Sequence, residues 1–583
     1  MSDSLLAELQ GSKQPEPTLS SFDKFVQMTY KVFSGPATRI TQSMPGLRTQ
    51  ILKSNIRTSP EGLVSLALFS SLITGVAAAV ASLVWGVWFR ADFRLPRTSF
   101  PLVFLLFIAV PIVYLIVTNM PSISASGRAT GIDAELPFVL GYMSVLAGGG
   151  VSPVETLRRI SKMDVLPASS KEAKRILLDT DVFGYDPITA MENAARLSPS
   201  RYWSEFLAGY CAVLKTGGDY ESYIQVKLRD IISNRSARTR SSSDLTGTVA
   251  EAYLTITVVL GMTLYTLYMV QAMLSGNLSA LNNLYLFAFL IVPLVSVGFI
   301  WMVDSIQTKW PYVDYRPYKL MGFMTPVAVG VLLVPLPIPL FLHMSVSLII
   351  LSGPPAVVTY RISKERIQLE KVLPDFIADV TEGRKTGLSP EQSIERLSTR
   401  NYGALSKHVK KMAAQLSWGL SLSKVITSFT SAVGSWVSRA TGVLLIEVVD
   451  VGGGTIRSFT DMAAFARTIN DLETQRRSAL RPFVMVTYIA AIMVVMTTFI
   501  LLYFLAAPAA LGVSSSSSTV TSNAPTIDLL LTSAIFDAFI IGLVAGKFGE
   551  SSVADGFKHS LILVCISLIA IVIASRFIPG VPF

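Results

Sequence analysis

Asp528 and Asp537 lie in one apolar run near the C-terminus, and Glu251 lies at the start of another. Carboxylates inside a membrane span are candidates for proton relays, ion pathways or peptidase chemistry. An intramembrane aspartyl peptidase uses two aspartates, but these two share one run at a separation of nine, and no Gly-x-Gly-Asp pattern is present. Asp537 sits near mid-span, where an interhelical hydrogen bond or packing role competes with a conducting or coupling one. "GLVAGKFGES" approaches a phosphate loop. It has one residue too few between Gly542 and Gly546, and Phe548 stands where Ser or Thr would bind magnesium. Its better reading is a small-xxx-small helix contact at Gly542 and Gly546 with Lys547 at the interface. His343, His408 and His559 are scattered and form no HExxH pattern. Cys211 and Cys565 are the only cysteines, which leaves no disulfide framework and no multi-Cys metal site. No catalytic, cofactor-binding or metal-binding residue is expected.

What positions these residues is a very apolar chain. Of 583 residues 51% are hydrophobic and 15% charged, against roughly 25% charged in soluble domains, and the mean hydropathy is +0.52. This is the composition of an integral membrane protein. The net charge of +10 is read as Lys and Arg in cytoplasmic segments, not as nucleic-acid binding. The polar stretch 1–61 lacks the apolar core and cleavage site of a signal peptide, so the first apolar run is expected to stay as a membrane helix.

A spanning helix needs about 20 apolar residues. Nine candidates occur, at roughly 63–88, 100–118, 249–274, 284–303, 320–340, 341–359, 482–507, 527–546 and 559–578. The prolines of "PLPIPLFLHM" suggest a tight turn between the fifth and sixth. The expected organisation is a cytoplasmic segment 1–62, two spans in 63–118, a first helical domain 119–248, four spans in 249–359, a second helical domain 360–481, and three spans in 482–583. A cytoplasmic N-terminus then puts both polar regions inside the cytoplasmic membrane. Lys and Arg counts agree except at Arg90, Arg94 and Arg97, which this topology places outside. Ser514–Asn523 reads as a flexible outer loop, and Asn277-Leu-Ser279 as a potential glycosylation acceptor.

The polar regions carry apolar residues at three-four spacing, such as Leu157 with Ile160 and Ile394 with Leu397, so both are expected to be helical bundles. They also share a motif. "ELPFVLGYMSVLAGGGVSPVETLRRIS" from Glu135 and "VLPDFIADVTEGRKTGLSPEQSIERLS" from Val372 match without a gap. Pro137 and Pro374 are expected to open a helix, and Gly150 and Gly387 to end it in the left-handed region. Ser152 and Ser389 would cap the next helix, with Pro153 and Pro390 at its first position and Glu155 and Gln392 completing a capping box. Arg159 matches Arg396, and upstream Asp133 matches Glu370. Weaker likeness follows from Gly184 against Gly419 and from Val213 against Val448, so the chain is internally duplicated.

This repeated Leu-Pro, Gly-x-Ser-Pro, Arg-x-Ser pattern, on helical domains alternating with spans, resembles the type II secretion system F family. The double-length, nine-span form resembles the archaeal platform proteins of the archaellum and related type IV pili. The resemblance implies a non-enzymatic, homodimeric platform in the cytoplasmic membrane, without cofactors. Its partners would be a hexameric secretion ATPase and archaellin- or pilin-like subunits. The second domain is the more basic, and Arg384, Lys385, Lys407, Lys410, Lys411, Arg476 and Arg477 are expected to contact the ATPase or an acidic adaptor. For Arg476 and Arg477 anionic lipid is the competing reading. A secondary transporter is the alternative function, since transporters also combine many spans with repeats.

Overall fold

In the computed structural model the described residues are 21–56, 58–84, 100–261, 263–264, 266–267, 271, 285–308, 314–334, 338–450, 456–510 and 524–575. The Arg90–Arg97 loop, Asn277 and the serine-rich loop lie outside them. Among the described residues the chain is all-helical with no strand, an all-α polytopic membrane protein. Among the described residues seven helices are long and apolar enough to cross a membrane, against the nine expected of the whole chain. The expected third span lies partly outside the described residues. The expected fifth is Arg316–Leu333, 18 residues that begin with Arg316 and Lys319, which leaves too short an apolar stretch.

The described chain forms two compact units. The first comprises residues up to Leu136 together with Leu157–Lys162 and Pro167–Tyr220. In it α1 (Ser21–Gln42), α2 (Gly46–Ser54) and α3 (Pro60–Val84) pack through Ala37, Leu47, Ile51, Leu63 and Val64. After α4 (Phe100–Gly148) and α5 (Pro153–Ile160) come α6 (Pro167–Asp181), α7 (Pro187–Leu197) and α8 (Arg201–Thr216). These bury Trp203, Phe206, Tyr210 and Met191. Arg128 of α4 joins both parts of this unit, donating from Nε to Glu172 at 2.7 Å and from Nη1 to the Lys53 carbonyl at 2.8 Å.

The second unit holds 137–156, 163–166 and everything from Glu221 onward. It contains α9 (Tyr220–Leu254), two π-helical stretches at Thr255–Leu260 and Phe287–Ile291, α10 (Val292–Ile306), α11 (Arg316–Leu333) and α12 (Leu340–Lys385). Then follow α13 (Pro390–Leu397), α14 (Ser406–Ser417), α15 (Leu422–Ala432), α16 (Trp436–Asp450), α17 (Ile456–Ala510), α18 (Ala524–Glu550) and α19 (Val553–Ser575). α18 is the most enclosed of the seven apolar helices, 83% of its most apolar window being buried. Against it α19 comes close enough that Gly542 faces the Ser560 backbone and Gly546 faces that of Gly556.

The expected break between span and cytoplasmic domain is absent. α4, α12 and α17 run unbroken for 49, 46 and 55 residues. Pro137 and Pro374 therefore lie inside α4 and α12 instead of opening them. The reason is legible in "RISKERIQLEKVL" at 361–373, which has no Gly or Pro and is rich in good helix formers. A helix arriving from the membrane needs no new nucleus and carries on through one missing N–H.

Candidate functional site

The duplicated turns share one hydrogen-bond pattern. In the first copy Val151 N–H bonds Leu146 C=O at 3.0 Å and Gly149 N–H bonds Val145 C=O at 3.2 Å. In the second, Leu388 bonds Gly383 at 3.1 Å and Thr386 bonds Glu382 at 3.1 Å. Both are six-to-one helix stops around a left-handed glycine, Gly150 at φ +77° and Gly387 at φ +90°. Ser152 Oγ accepts from Glu155 N–H at 3.3 Å, and Ser389 Oγ accepts from Gln392 N–H at 3.1 Å. Ser389 has a complete capping box, in which Gln392 Oε1 accepts from its backbone at 3.1 Å. Pro153 and Pro390 begin α5 and α13. Arg159 is half-buried and Arg396 is exposed.

The matched acids do what sequence spacing alone did not disclose. Asp133 accepts from Ser200 Oγ at 2.5 Å, and Ser200 in turn caps α8 through Trp203 N–H. Glu370 accepts from Ser435 Oγ at 2.7 Å, and Ser435 receives the Ser438 N–H at the start of α16. In each copy the long helix thus holds the N-terminus of a later one through an acid and a serine. Glu135 adds a further cap in the first copy, accepting the Ala168 and Ser169 N–H groups at 3.0 and 2.7 Å at the start of α6.

The candidate contact residues separate into two groups. Lys407, Lys410 and Lys411 are exposed on α14. Lys385 is also exposed, paired with Glu382 at 2.8 Å. Arg384 is half-buried, with Nη1 on the Leu388 carbonyl and the guanidinium 6.0 Å from the Phe459 ring. Arg476 and Arg477, expected at a partner or lipid surface, have their charges paired within the chain. Glu473 bonds Arg476 at 2.7 Å and Arg477 at 3.0 Å, Glu370 bonds Arg477 at 2.5 Å, and Arg476 donates to Ser551 Oγ at 2.8 Å. The acids are 5% exposed, so a buried carboxylate pair had to draw cations inward.

A second paired turn escaped sequence analysis. Gly184 at φ +70° and Gly419 at φ +78° close α6 and α14, and each carries an exposed aromatic just before it. Phe183 is 64% exposed with Tyr185 at 51%, and Trp418 is 80% exposed with Leu420 at 40%. The signal was available in the alignment of Gly184 with Gly419, one residue further upstream. Lys407, Lys411 and Trp418 recur at four and seven, a single helical face, whereas Asp179, Asp181 and Asp186 surround Phe183 in sequence. One copy presents an aromatic among cations and the other an aromatic among acids.

His408 lies buried on α14, its ring edge-on to Phe429 at 5.6 Å. Burial, with Lys407 and Lys411 adding to it, pushes the imidazole below its usual range, while Glu365 opposes the shift. The unfolded chain therefore takes up this proton more readily than the native one. Stability is complete above the unfolded value of about 6.5 and falls as pH drops through it. Thermal unfolding of the full chain at stepwise lower pH checks this, with His408→Gln flattening the slope. Burial pushes the Cys211 thiol up to about 11, away from the range of a nucleophile.

Of the apolar-run carboxylates, Glu251 is exposed in the last turn of α9. Asp528 is a helix cap, with Oδ2 accepting the Leu340 N–H at 3.1 Å where α12 begins. Asp537 is 3% exposed in α18. Lys547, which a phosphate loop would have aimed at a nucleotide, instead bonds Asp304 at 2.6 Å.

The model of the family described as "Type II secretion system (T2SS), protein F" matches residues 139–268 and again 376–503. The chain carries the F domain twice. The two matches begin just inside the matched prolines and take in both turns, both acid–serine caps' later helices and the helices that follow. F-domain proteins are membrane platforms of secretion and pilus systems, without enzymatic activity, and they typically partner secretion ATPases. An uncharacterized protein of Methanocaldococcus jannaschii is 23% identical over 501 residues, covering 78% of this chain and 82% of its own length. No solved structure matches the chain.

Proposed function

We propose that this chain is the cytoplasmic-membrane platform on which an archaellum or type IV pilus-like filament is assembled. A hexameric secretion ATPase docks on its F domains, pilin-like subunits leave the bilayer beside it, and the working form is a homodimer. The observation that carries the docking is the paired turn. An aromatic 64% or 80% exposed at the same place in both copies is an apolar anchor left in water twice, and Trp is among the residues that dominate interface energetics.

The second copy is the ATPase-facing one in this reading. Lys407, Lys410 and Lys411 orient an acidic face of the motor or of an adaptor, and Trp418 anchors it. Pull-down of a purified hexameric secretion ATPase by the full-length chain tests it. Trp418→Ala is expected to weaken binding by about 2 kcal/mol, roughly 30-fold in Kd. Charge reversal at the three lysines should slow association and remove its salt dependence. Undiminished binding by both variants removes the second copy as the dock, and loss on Phe183→Ala alone would transfer the role to the first.

A further inference from the structure

Asp537 is a buried carboxylate whose surroundings neither the fold nor the platform reading uses. It is 3% exposed on the most enclosed apolar helix, and among the described residues its Oδ1 meets no hydrogen-bond partner. It lines a cavity with Thr257, Gly261, Phe287, Val292, Val494, Thr497 and Thr498. The space open to a water-sized centre there is about 20 Å³, and a single water needs roughly 10–15 Å³ by this measure. Thr497 and Thr498 donate their hydroxyl hydrogens to the Met493 and Val494 carbonyls at 2.8 and 3.0 Å. That leaves the lone pairs of both oxygens for an outside donor or a cation.

The backbone around the cavity is unusual in the same place. Both π-helical stretches of the described chain contribute to it, Thr257 from Thr255–Leu260 and Phe287 from Phe287–Ile291. Single π turns are rare and recur at functional sites. The titratable group facing Asp537 from a neighbouring helix is Tyr253, whose hydroxyl is taken up by Ser296 at 3.2 Å. Among the described residues no lysine or arginine lines the cavity, so they give the carboxylate no built-in counter-charge there.

We propose that Asp537, with Thr257, Thr497 and Thr498, forms an intramembrane site for one small monovalent cation, hydronium or sodium. A carboxylate oxygen and hydroxyl oxygens around a space of one water suit either ion, and both are hard cations that prefer oxygen. Occupancy supplies the charge that an enclosed carboxylate otherwise lacks. The site makes the membrane bundle sensitive to the ion it holds.

The test uses the purified full-length chain in detergent micelles, with melting temperature as the readout, because an ion bound only by the native state raises it. Sodium chloride is compared with choline chloride at equal ionic strength, and a pH series is run in choline alone. Sodium occupancy gives a rise of a few degrees with sodium that Asp537→Asn loses. Hydronium occupancy gives no sodium response and a fall in melting temperature as pH rises, which Asp537→Asn also loses. Thr498→Val, which keeps the shape and removes one oxygen, should blunt whichever response is present, and it carries the comparison if the Asn variant does not accumulate. Identical sodium and pH responses in the wild-type chain and these variants overturn the site.

Discussion

Gly546→Val is expected to prevent the C-terminal pair of helices from closing. A Cβ at Gly546 would fall on the backbone N and Cα of Gly556, and one at Gly542 on the backbone of Ser560. Neither obstacle is a flexible side chain, so α18 and α19 would have to separate. Overpacking costs typically 1–3 kcal/mol where side chains can yield; against backbone the loss should be about 3 kcal/mol or more. α18 is also the buried centre of the bundle, in contact with α12 and α17 through Leu530, Ile535 and Ala538 among others. The expected result is a chain that inserts but shows no cooperative melting and elutes as aggregate in gel filtration. Gly353→Ala is the control. Nothing lies within 4 Å of the position its Cβ would take, so its melting temperature should stay at the wild-type value or rise slightly. Normal melting of Gly546→Val would mean that α18 and α19 do not pack this closely.

Glu370→Ala should be the next most damaging change, and its damage should be to the fold and not to any partner. The carboxylate is 5% exposed and serves Ser435 and Arg477 together. Its loss leaves the start of α16 without the acid that orients its serine cap, and a 26% exposed guanidinium with Glu473 alone. Breaking a fully buried pair costs about 3–5 kcal/mol; the partial exposure of Arg477 brings the expectation down to about 2–3 kcal/mol. A double-mutant cycle of Glu370→Gln and Arg477→Gln, read by denaturant unfolding, should give a coupling of about 1–2 kcal/mol. Additive effects would mean that the pair is incidental. Arg477→Gln should also melt early, while Lys410→Glu and Trp418→Ala, at exposed positions, should melt as the wild-type chain does.

The duplication, the helical class and the stops at Gly150 and Gly387 were legible because their signals are local. A left-handed glycine followed by Ser-Pro needs nothing beyond its own turn. The continuity of α4, α12 and α17 was not legible in the same way. Pro137 and Pro374 are good first-turn residues, and only the arrival of a helix already formed in the membrane makes them interior. The internal pairing of Arg476 and Arg477 was illegible for a related reason. Cations near the end of a polar region look like surface charge until Glu370, more than a hundred residues earlier, is brought beside them. Asp528 was read only as a carboxylate within a span, and its use as the cap of α12 depends on a neighbour 188 residues away. Phe183 and Trp418 were missed because an aromatic in a helical pattern is read as core, and exposure is not written in spacing.

α12 is held at its start, near its middle and at its far end. Asp528 receives its first N–H, Glu370 fastens it to α16 and α17, and its far end is the Gly387 turn. Between the first two points stand Pro354 and Pro355, adjacent residues without N–H donors, where a helix bends most easily. From Glu370 to Pro355 and from Glu370 to Lys385 is fifteen residues each way, about 22 Å of helix at 1.5 Å per residue. Along the first of these stretches Ser363 Oγ donates to Asp555 Oδ1 at 2.6 Å, which ties α12 to α19 between the proline pair and Glu370. Load applied at the Gly387 turn is therefore shared with α16, α17 and α19 before it reaches the proline pair.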